Sequence, residues 1–231
     1  AGTTTVENIV LEVFQDAAAA QAYAAAKADR FGENFGVSQG SYWTTNGVDL
    51  TGYRGEAPTL SITGGAPQYA YLRDVFTDKF CFETQLNVNA VLNDDGFPKF
   101  GVMTNDSTQM VKFFVDMTAE MTAAHVGVVY QPTDGTDDWA NAVSCNVAGM
   151  AFTGSDTVKL KLVREGKAYY FYVNDELVLY DEAGFAAEQG AVGIFSFNSA
   201  LTASGYGIAI GNAADSAIAQ AKEDVVELSK V

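Results

Sequence analysis

Four polar residues alternate along one candidate strand and could together hydrogen-bond a ligand. Within KFCFETQLNVNAVL (79–92) they are Glu83, Gln85, Asn87 and Asn89, and residues such as Phe82 and Leu86 stand between them. Residues two apart in a strand share a face, so the four form one polar row. Amides carry donors and acceptors together, which suits the hydroxyls of a sugar ring. The same alternation is also typical of the wet side of a half-buried antiparallel strand, and both interpretations stay open.

Aromatic residues near candidate turns are a second source of binding chemistry. Flat rings with a polar edge can stack on a sugar face at a hydrated site. Trp139, within TDGTDDWAN, and Tyr130, at the end of HVGVVYQ, are the two that we predict to stack. Others near candidate loops are Tyr42, Trp43, Tyr53, Tyr69 and Tyr71, of which Trp43 is expected to be buried.

The segment before Trp139 is acidic and could bind a cation. Asp134, Asp137 and Asp138 are close in sequence, and calcium takes six to eight oxygen ligands. Their spacing does not follow the D-x-D-x-D-G pattern that ends in Glu, so a solvated acidic turn is the alternative. Calcium is thus a possible ligand, and no other cofactor is predicted.

The sequence contains few of the residues and motifs that are typical of catalytic sites. His125 is the only histidine, and no G-x-S-x-G, G-x-x-x-x-G-K-[ST] or G-x-G-x-x-G motif accompanies it. A retaining glycosidase needs two carboxyls about 5 Å apart. The polar row supplies one, so such a pair would have to join separate strands, for example Glu83 with Asp116. Two cysteines, Cys81 and Cys145, are too few for a zinc framework, and whether they pair stays open.

The elements that must position these residues are mostly strands. From about residue 40 to 211 apolar and polar residues alternate with period two, and turn pairs such as Asp95-Gly96, Glu165-Gly166 and Asn174-Asp175 separate the runs. This pattern predicts an antiparallel sandwich or barrel. An alanine-rich segment predicts a short helix over about 17–30, and apolar spacing predicts a helical tail or connector over 212–231. The sandwich domain is predicted to span 1–211.

Composition narrows the class of protein further. The 231 residues are 48% hydrophobic, which is enough for a packed core, and their formal net charge is −16. That charge disfavours binding to nucleic acid or anionic membranes. No apolar run reaches the roughly 20 residues of a membrane-spanning helix. Acidic balance, few cysteines and many Thr, Asn, Gly and Tyr residues are typical of an extracellular or cell-surface bacterial domain.

The order of these pieces resembles the concanavalin A-like lectin/glucanase superfamily, especially its laminin G-like and glucanase-like bacterial members. The resemblance rests on SYWTTNGVDLTGYRG (41–55), YAYLRDVFTDKFCFETQLNV (69–88), YFYVNDELVLYDEAGF (170–185) and QGAVGIFSFNSALTASGYGI (189–208). It implies an all-β, two-sheet antiparallel jelly-roll sandwich in which VENIVLEVF pairs with the last strand. It also implies sugar binding across the concave sheet or at rim loops. The E-x-D-x-E motif of catalytic relatives is absent.

These observations predict a non-catalytic carbohydrate-binding module of a larger secreted or cell-surface bacterial protein, with a polysaccharide or glycan as its partner. Two alternatives remain open at this stage. One is a structural or adhesive spacer without a small ligand, and the other is a divergent glycoside hydrolase.

Overall fold

Fifteen strands and one α-helix lie within the residues that a computed structural model of the chain describes. These residues are 30–33, 43–46, 48–49, 60–64, 68–76, 78–91, 98–105, 109–117, 124–132, 136–146, 157–182 and 190–228. In chain order the strands are β1 (Arg30–Glu33), β2 (Trp43–Asn46), β3 (Val48–Asp49), β4 (Leu60–Gly64), β5 (Gln68–Phe76), β6 (Lys79–Val91), β7 (Lys99–Asn105), β8 (Met110–Met117), β9 (Ala124–Gln131), β10 (Val143–Asn146), β11 (Thr157–Glu165), β12 (Ala168–Val173), β13 (Glu176–Glu182), β14 (Gly190–Phe197) and β15 (Ser199–Ile210). The helix, α1, spans Asp215–Leu228.

The strands form two antiparallel sheets, which confirms the predicted all-β jelly-roll sandwich. Sheet A has the order β13-β12-β11-β6-β15-β4-β3, with β1 also paired to β15. Sheet B has the order β10-β9-β8-β7-β14-β5-β2. Neighbours in space are often distant in sequence, so the sandwich depends on long-range pairing rather than on hairpins alone.

Alternation along each strand sorts side chains between the core and the outer face of its sheet, the face turned away from the other sheet. On β6, Phe82, Leu86 and Val88 enter the core that both sheets share. Across the sandwich, the ring centroid of Phe113 in sheet B lies 5.8 Å from the ring centroid of Phe171 in sheet A. Each such fully buried side chain contributes about 1.5–3 kcal/mol of transfer free energy, which accounts for the face-to-face packing.

Two of the predicted tight turns lie within the described residues, and both occur where the sequence predicted them. Asp95-Gly96 lies outside those residues. Asn174 and Asp175, between β12 and β13, have φ angles of 51° and 67°. Positive φ at both central residues defines a type I′ turn, whose twist matches that of the flanking strands. Gly166, between β11 and β12, has φ 59°, a conformation that glycine adopts without steric cost.

The predictions for the N-terminal region fall mostly on residues that the structure does not describe. The helix predicted over about 17–30 lies outside the described residues except for Arg30, which begins β1 instead. The predicted pairing of VENIVLEVF with the last strand involves residues 6–14, which also lie outside the described residues. At 206–209 the last strand, β15, has two described partners. There β1 occupies one edge of β15, and β6 occupies the other.

The C-terminal helix packs on the outer face of sheet A. A 3-10 turn over Gly211–Ala214 leads into α1, and Ile218 and Ala221 are buried against the sheet. Their partners include Cys81, Val163, Tyr170, Tyr172 and Leu177. The predicted helical character is confirmed, and its apolar stripe is covered by the sandwich itself. None of the helices within the described residues has the length and hydropathy to cross a membrane.

A hydrogen bond between sheet A and α1 should contribute measurably to stability. The Tyr172 hydroxyl donates to Asp224 Oδ2 at 2.7 Å. Burial raises the pKa of Asp224, but hydrogen bonds from Tyr172 and Gln220 outweigh it and hold that pKa below its usual value. Because the folded-state pKa is lowered, this stabilisation is present above the unfolded value of about 3.9 and is lost as pH falls.

We therefore expect Tyr172→Phe to lower the free energy of unfolding by about 1 kcal/mol at pH 7. The deficit should shrink as pH falls from about 4 towards 2, since protonation of Asp224 removes the charged acceptor in both proteins. Urea unfolding across this range measures it. Tyr180→Phe is the control, because its hydroxyl pairs with Glu182 at an exposed position. A deficit that does not change with pH would contradict the assignment.

Candidate functional site

A cleft of about 440 Å³ opens on the outer face of sheet B, and we call it the sheet B cleft. Its aromatic lining comes from Tyr69, Trp139, Phe195 and Phe197. Its polar lining includes Gln68, Lys99, Lys112, Gln131 and Asp137. A few polar groups among aromatic walls are typical of small-ligand sites.

The alternation of β8 supplies the centre of this face. In MVKFFVDM, Val111, Phe113 and Val115 belong to the main core. The intervening side chains of Lys112, Phe114 and Asp116 therefore point to the outer face. Phe114 joins a second apolar cluster there, with Met103, Val129 and Phe195.

Phe114 lies between two glycines at the same register. Gly101 on β7 and Gly127 on β9 are its cross-strand partners. A Cβ atom on Gly127 would lie 2.5 Å from Phe114 Cζ, so the ring occupies the space that a side chain would fill. Gly127 thus leaves open the recess that the Phe114 ring occupies, whereas Gly101 allows the backbones of β7 and β8 to approach closely.

Trp139 packs on this recessed ring and remains open to solvent. It begins a 3-10 turn, Trp139–Asn141, that follows β9. Its ring centroid is 5.5 Å from that of Phe114 in an edge-on geometry, yet 46% of Trp139 is exposed. The backbone N–H of Asp138 donates to the Tyr130 carbonyl at 2.8 Å and anchors the turn. An exposed ring on a fixed support is therefore available for stacking.

Lys99 connects the aromatic pair to a carboxylate. Its ammonium lies 5.3 Å from the Trp139 ring centroid and 3.3 Å from Asp116 Oδ2. Burial lowers the pKa of Lys99, and the nearby charge of Asp116 acts in the opposite direction. This lysine is held beneath the tryptophan rather than extended into solvent.

A second ion pair, between Lys112 and Asp137, lies at the other side of the cleft. Lys112 Nζ contacts Asp137 Oδ1 at 2.7 Å and Oδ2 at 2.8 Å, and it also donates to Gln131 Oε1 at 3.4 Å. The two charged side chains are only 11% and 19% exposed. Because Asp137 immediately precedes the turn of Trp139, this pair also fixes the path of that segment. Gln68 Oε1 is buried beside the cleft and accepts no hydrogen bond from the described residues.

The structure does not bring the predicted polar row and Trp139 together. The row is on β6 of sheet A, and Glu83, Gln85 and Asn87 point to the outer face opposite the sheet B cleft. Asn87 Oδ1 accepts a hydrogen bond from Thr157 Oγ1 at 2.8 Å, and Gln85 is exposed. For Asn89 only its place in β6 is described, where the register with β15 shifts.

Tyr130 occupies a different position from the one its sequence context indicated. Its ring packs against the main core, and its hydroxyl donates to Asp181 on β13. It therefore links β9 of sheet B to β13, the edge strand of sheet A, and it does not line the sheet B cleft. Burial raises the pKa of Asp181.

The three aspartates predicted to bind calcium are only partly described. Asp134 lies outside the described residues, Asp137 is paired with Lys112, and Asp138 accepts a hydrogen bond from Asn141 at 2.9 Å. Across the described ranges, no three His, Cys, Asp or Glu side chains are close enough to share a metal ion. Calcium binding through Asp137 would require Lys112 to move, and it stays a prediction.

The positions of Glu83 and Asp116 and of the two cysteines answer two questions that the sequence left open. Glu83 and Asp116 lie on opposite outer faces with the core between them, so they cannot flank one glycosidic bond as a retaining pair. Cys81 is buried beneath α1, whereas Cys145 is exposed on β10, and both are free thiols. His125 is exposed on β9.

Comparison with known proteins finds no matching family model and no matching curated sequence. Solved structures do match. Crh5 transglycosylase in complex with NAG superposes with TM-score 0.55 and 9% identity over 80% of this chain and 85% of its own. The Bacillus licheniformis beta-glucanase gives 0.54 and 10% over 80% and 100%. The fold is the concanavalin A-like jelly roll.

The jelly-roll resemblance inferred from the sequence is thereby confirmed at the level of fold. A third structure, GH43B of the Bacteroides ovatus xyloglucan PUL, matches with TM-score 0.54 and 10% identity over 78% of this chain. This chain spans only 38% of that protein. These superpositions establish the concanavalin A-like architecture, but at identities of 9–10% function has to be argued from the site.

Sequence reasoning identified Trp139 but missed the lysines beside it. Lys112 lies in the alternating segment MVKFFVDM (110–117), so its place on the polar face could be predicted from the sequence. Lys99 comes just before an apolar segment and carried no such signal. The convergence of both lysines with Asp137 and Trp139 could not be predicted, because it depends on the order β9-β8-β7-β14-β5 in sheet B.

Proposed function

We propose that this chain is a non-catalytic carbohydrate-binding domain whose site is the sheet B cleft. The observation that carries the proposal is the exposed Trp139 ring, held on Phe114 and Lys99 at the edge of a cleft. A rigid, half-exposed indole offers the flat apolar surface that the C–H face of a sugar ring contacts. Its support means that little conformational freedom would be lost on binding.

Polar groups around the ring support the same proposal. Gln68 and Gln131 present amides, and the lysine and aspartate side chains present donors and acceptors. Sugar hydroxyls need both, because each can donate and accept. Two of the similar structures are a glucanase and a transglycosylase, which is consistent with a carbohydrate ligand here.

The carboxylates of this region favour binding over hydrolysis. Both oxygens of Asp137 are contacted by Lys112, and Asp116 is paired with Lys99. Glycoside hydrolysis requires one carboxyl that donates a proton and another placed to attack or to activate water. Among the described residues of this face, neither carboxylate is presented in that way. We expect no release of reducing ends from any polysaccharide that binds.

The direct test compares two faces of the sandwich. Trp139→Ala should weaken binding to a polysaccharide in affinity electrophoresis by at least about tenfold, equivalent to about 1.4 kcal/mol. Asn87→Ala, on the polar row of sheet A, should leave binding unchanged. A panel of insoluble and soluble glycans identifies the polymer to use, and circular dichroism melting checks that both variants fold.

Each other outcome has a definite consequence. Loss of binding in Asn87→Ala with retention in Trp139→Ala would move the site to the polar row Glu83, Gln85, Asn87 and Asn89. Binding to no glycan would favour the spacer alternative, and release of reducing ends would favour a hydrolase. We also propose, from composition, that the domain acts outside the cell or at its surface as one module of a larger bacterial protein.

A further inference from the structure

The charged side chains at the sheet B cleft form two ion pairs, so their formal charges sum to zero. Lys99 is paired with Asp116, and Lys112 is paired with Asp137. Of the four, Lys99 is 8% exposed and Lys112 is 11% exposed, so both cations are largely withdrawn from water. Separating either ion pair costs considerable free energy, because a partly buried charge without its partner is strongly unfavourable.

The segments that connect the surrounding strands add no positive charge. Residues 106–108 join β7 to β8, 118–123 join β8 to β9, and 133–135 lead to the turn of Trp139. Their sequences contain Asp106, Glu120 and Asp134, and no Lys or Arg. The whole chain carries a formal charge of −16. The field that an approaching polyanion meets is therefore repulsive.

We infer that the sheet B cleft selects neutral glycans and discriminates against polymers that carry uronate or sulfate groups. The inference rests on the proposed function and specifies its ligand class. A ligand carboxylate would have to take Lys99 or Lys112 from its aspartate, whereas a hydroxyl can join either pair by hydrogen bonding without separating the charges. Selectivity of this kind arises from the penalty imposed on the wrong ligand.

The test compares neutral and acidic polymers on the unmodified protein. Xyloglucan, mixed-linkage glucan and galactomannan represent the neutral class, and polygalacturonate and alginate represent the uronates. Affinity electrophoresis is run at about 20 mM and about 300 mM sodium chloride, which spans strong and weak screening. We expect binding to a neutral polymer that changes less than about twofold with salt. Uronates should bind at least about tenfold more weakly at low salt.

A charge variant sharpens the test. Asp137→Asn removes the negative partner of Lys112 and should raise polygalacturonate affinity at least about threefold at low salt, with the gain lost at high salt. Asp175→Asn is the matched control. It removes the partner of Lys159 on sheet A and changes the net charge equally, so it should produce no gain. Equal gains in both variants would point to net charge alone and overturn the inference.

Failure of the inference can be distinguished from failure of the proposed function. Uronate binding that is tighter than that of every neutral polymer and is abolished by Trp139→Ala would keep the site and overturn the ligand class. Binding to neither class would remove the proposed function and the inference together.

Discussion

Replacing Gly101 with alanine should lower the free energy of unfolding by about 3 kcal/mol, the largest effect that we expect from any single methyl group. The added Cβ would overlap the carbonyl oxygen of Phe113 and lie 2.9 Å from its carbonyl carbon. Both atoms belong to the backbone of β8, so no side-chain rotation relieves the overlap. The β7 and β8 strands would have to separate at the centre of sheet B.

Thermal and urea unfolding measure this effect. For a chain of this size a loss of about 3 kcal/mol corresponds to a fall in Tm of roughly 6–12 °C. Gly207→Ala is the matched control, since Gly207 is also in a strand but a Cβ there would meet nothing within 4 Å. It should be neutral or slightly stabilising, because alanine restricts the unfolded chain. Equal losses in both variants would show that the register of β7 and β8 is not as described.

Replacing Gly127 with alanine should abolish ligand binding and also reduce stability by about 2 kcal/mol. Its Cβ would lie 2.5 Å from Phe114 Cζ and 2.6 Å from the carbonyl oxygen of Val143. The Phe114 ring would have to leave its recess. Because Trp139 packs against that ring, the indole would lose its support and its orientation.

A second substitution separates the two effects. In Gly127→Ala with Phe114→Leu, the shorter side chain should relieve the clash with the new Cβ and recover part of the lost stability. Binding should not return, because no ring remains beneath Trp139. Glycan affinity and urea unfolding of the single and double variants measure both quantities. Normal affinity in the double variant would mean that Phe114 does not position Trp139.

Strand patterns were readable because alternation is a local property. In TVKLKLVRE (157–165) apolar residues recur at almost every second position and a turn glycine follows, and this segment forms β11. VSCN (143–146) was not predicted and is β10. Its side chains are mostly exposed, so it carries no alternating pattern, and pairing with β9 creates the strand.

The same contrast between a local pattern and pairing of distant segments applies to the polar row and the sheet B cleft. Glu83, Gln85 and Asn87 belong to one strand, and their common face follows from period two. Lys112 and Asp137 come from a strand and a turn, and their contact depends on how those elements are placed.

By itself, the sequence determined the all-β class, the central strands and the common solvent-facing side of the polar row. These follow from residue period and turn chemistry. Only the tertiary structure decided that the amide row and Trp139 lie on opposite faces, that Tyr130 joins the sheets, and that the lysines are neutralised in pairs. Those facts depend on strand order and register, which arise from pairing between segments far apart in the chain.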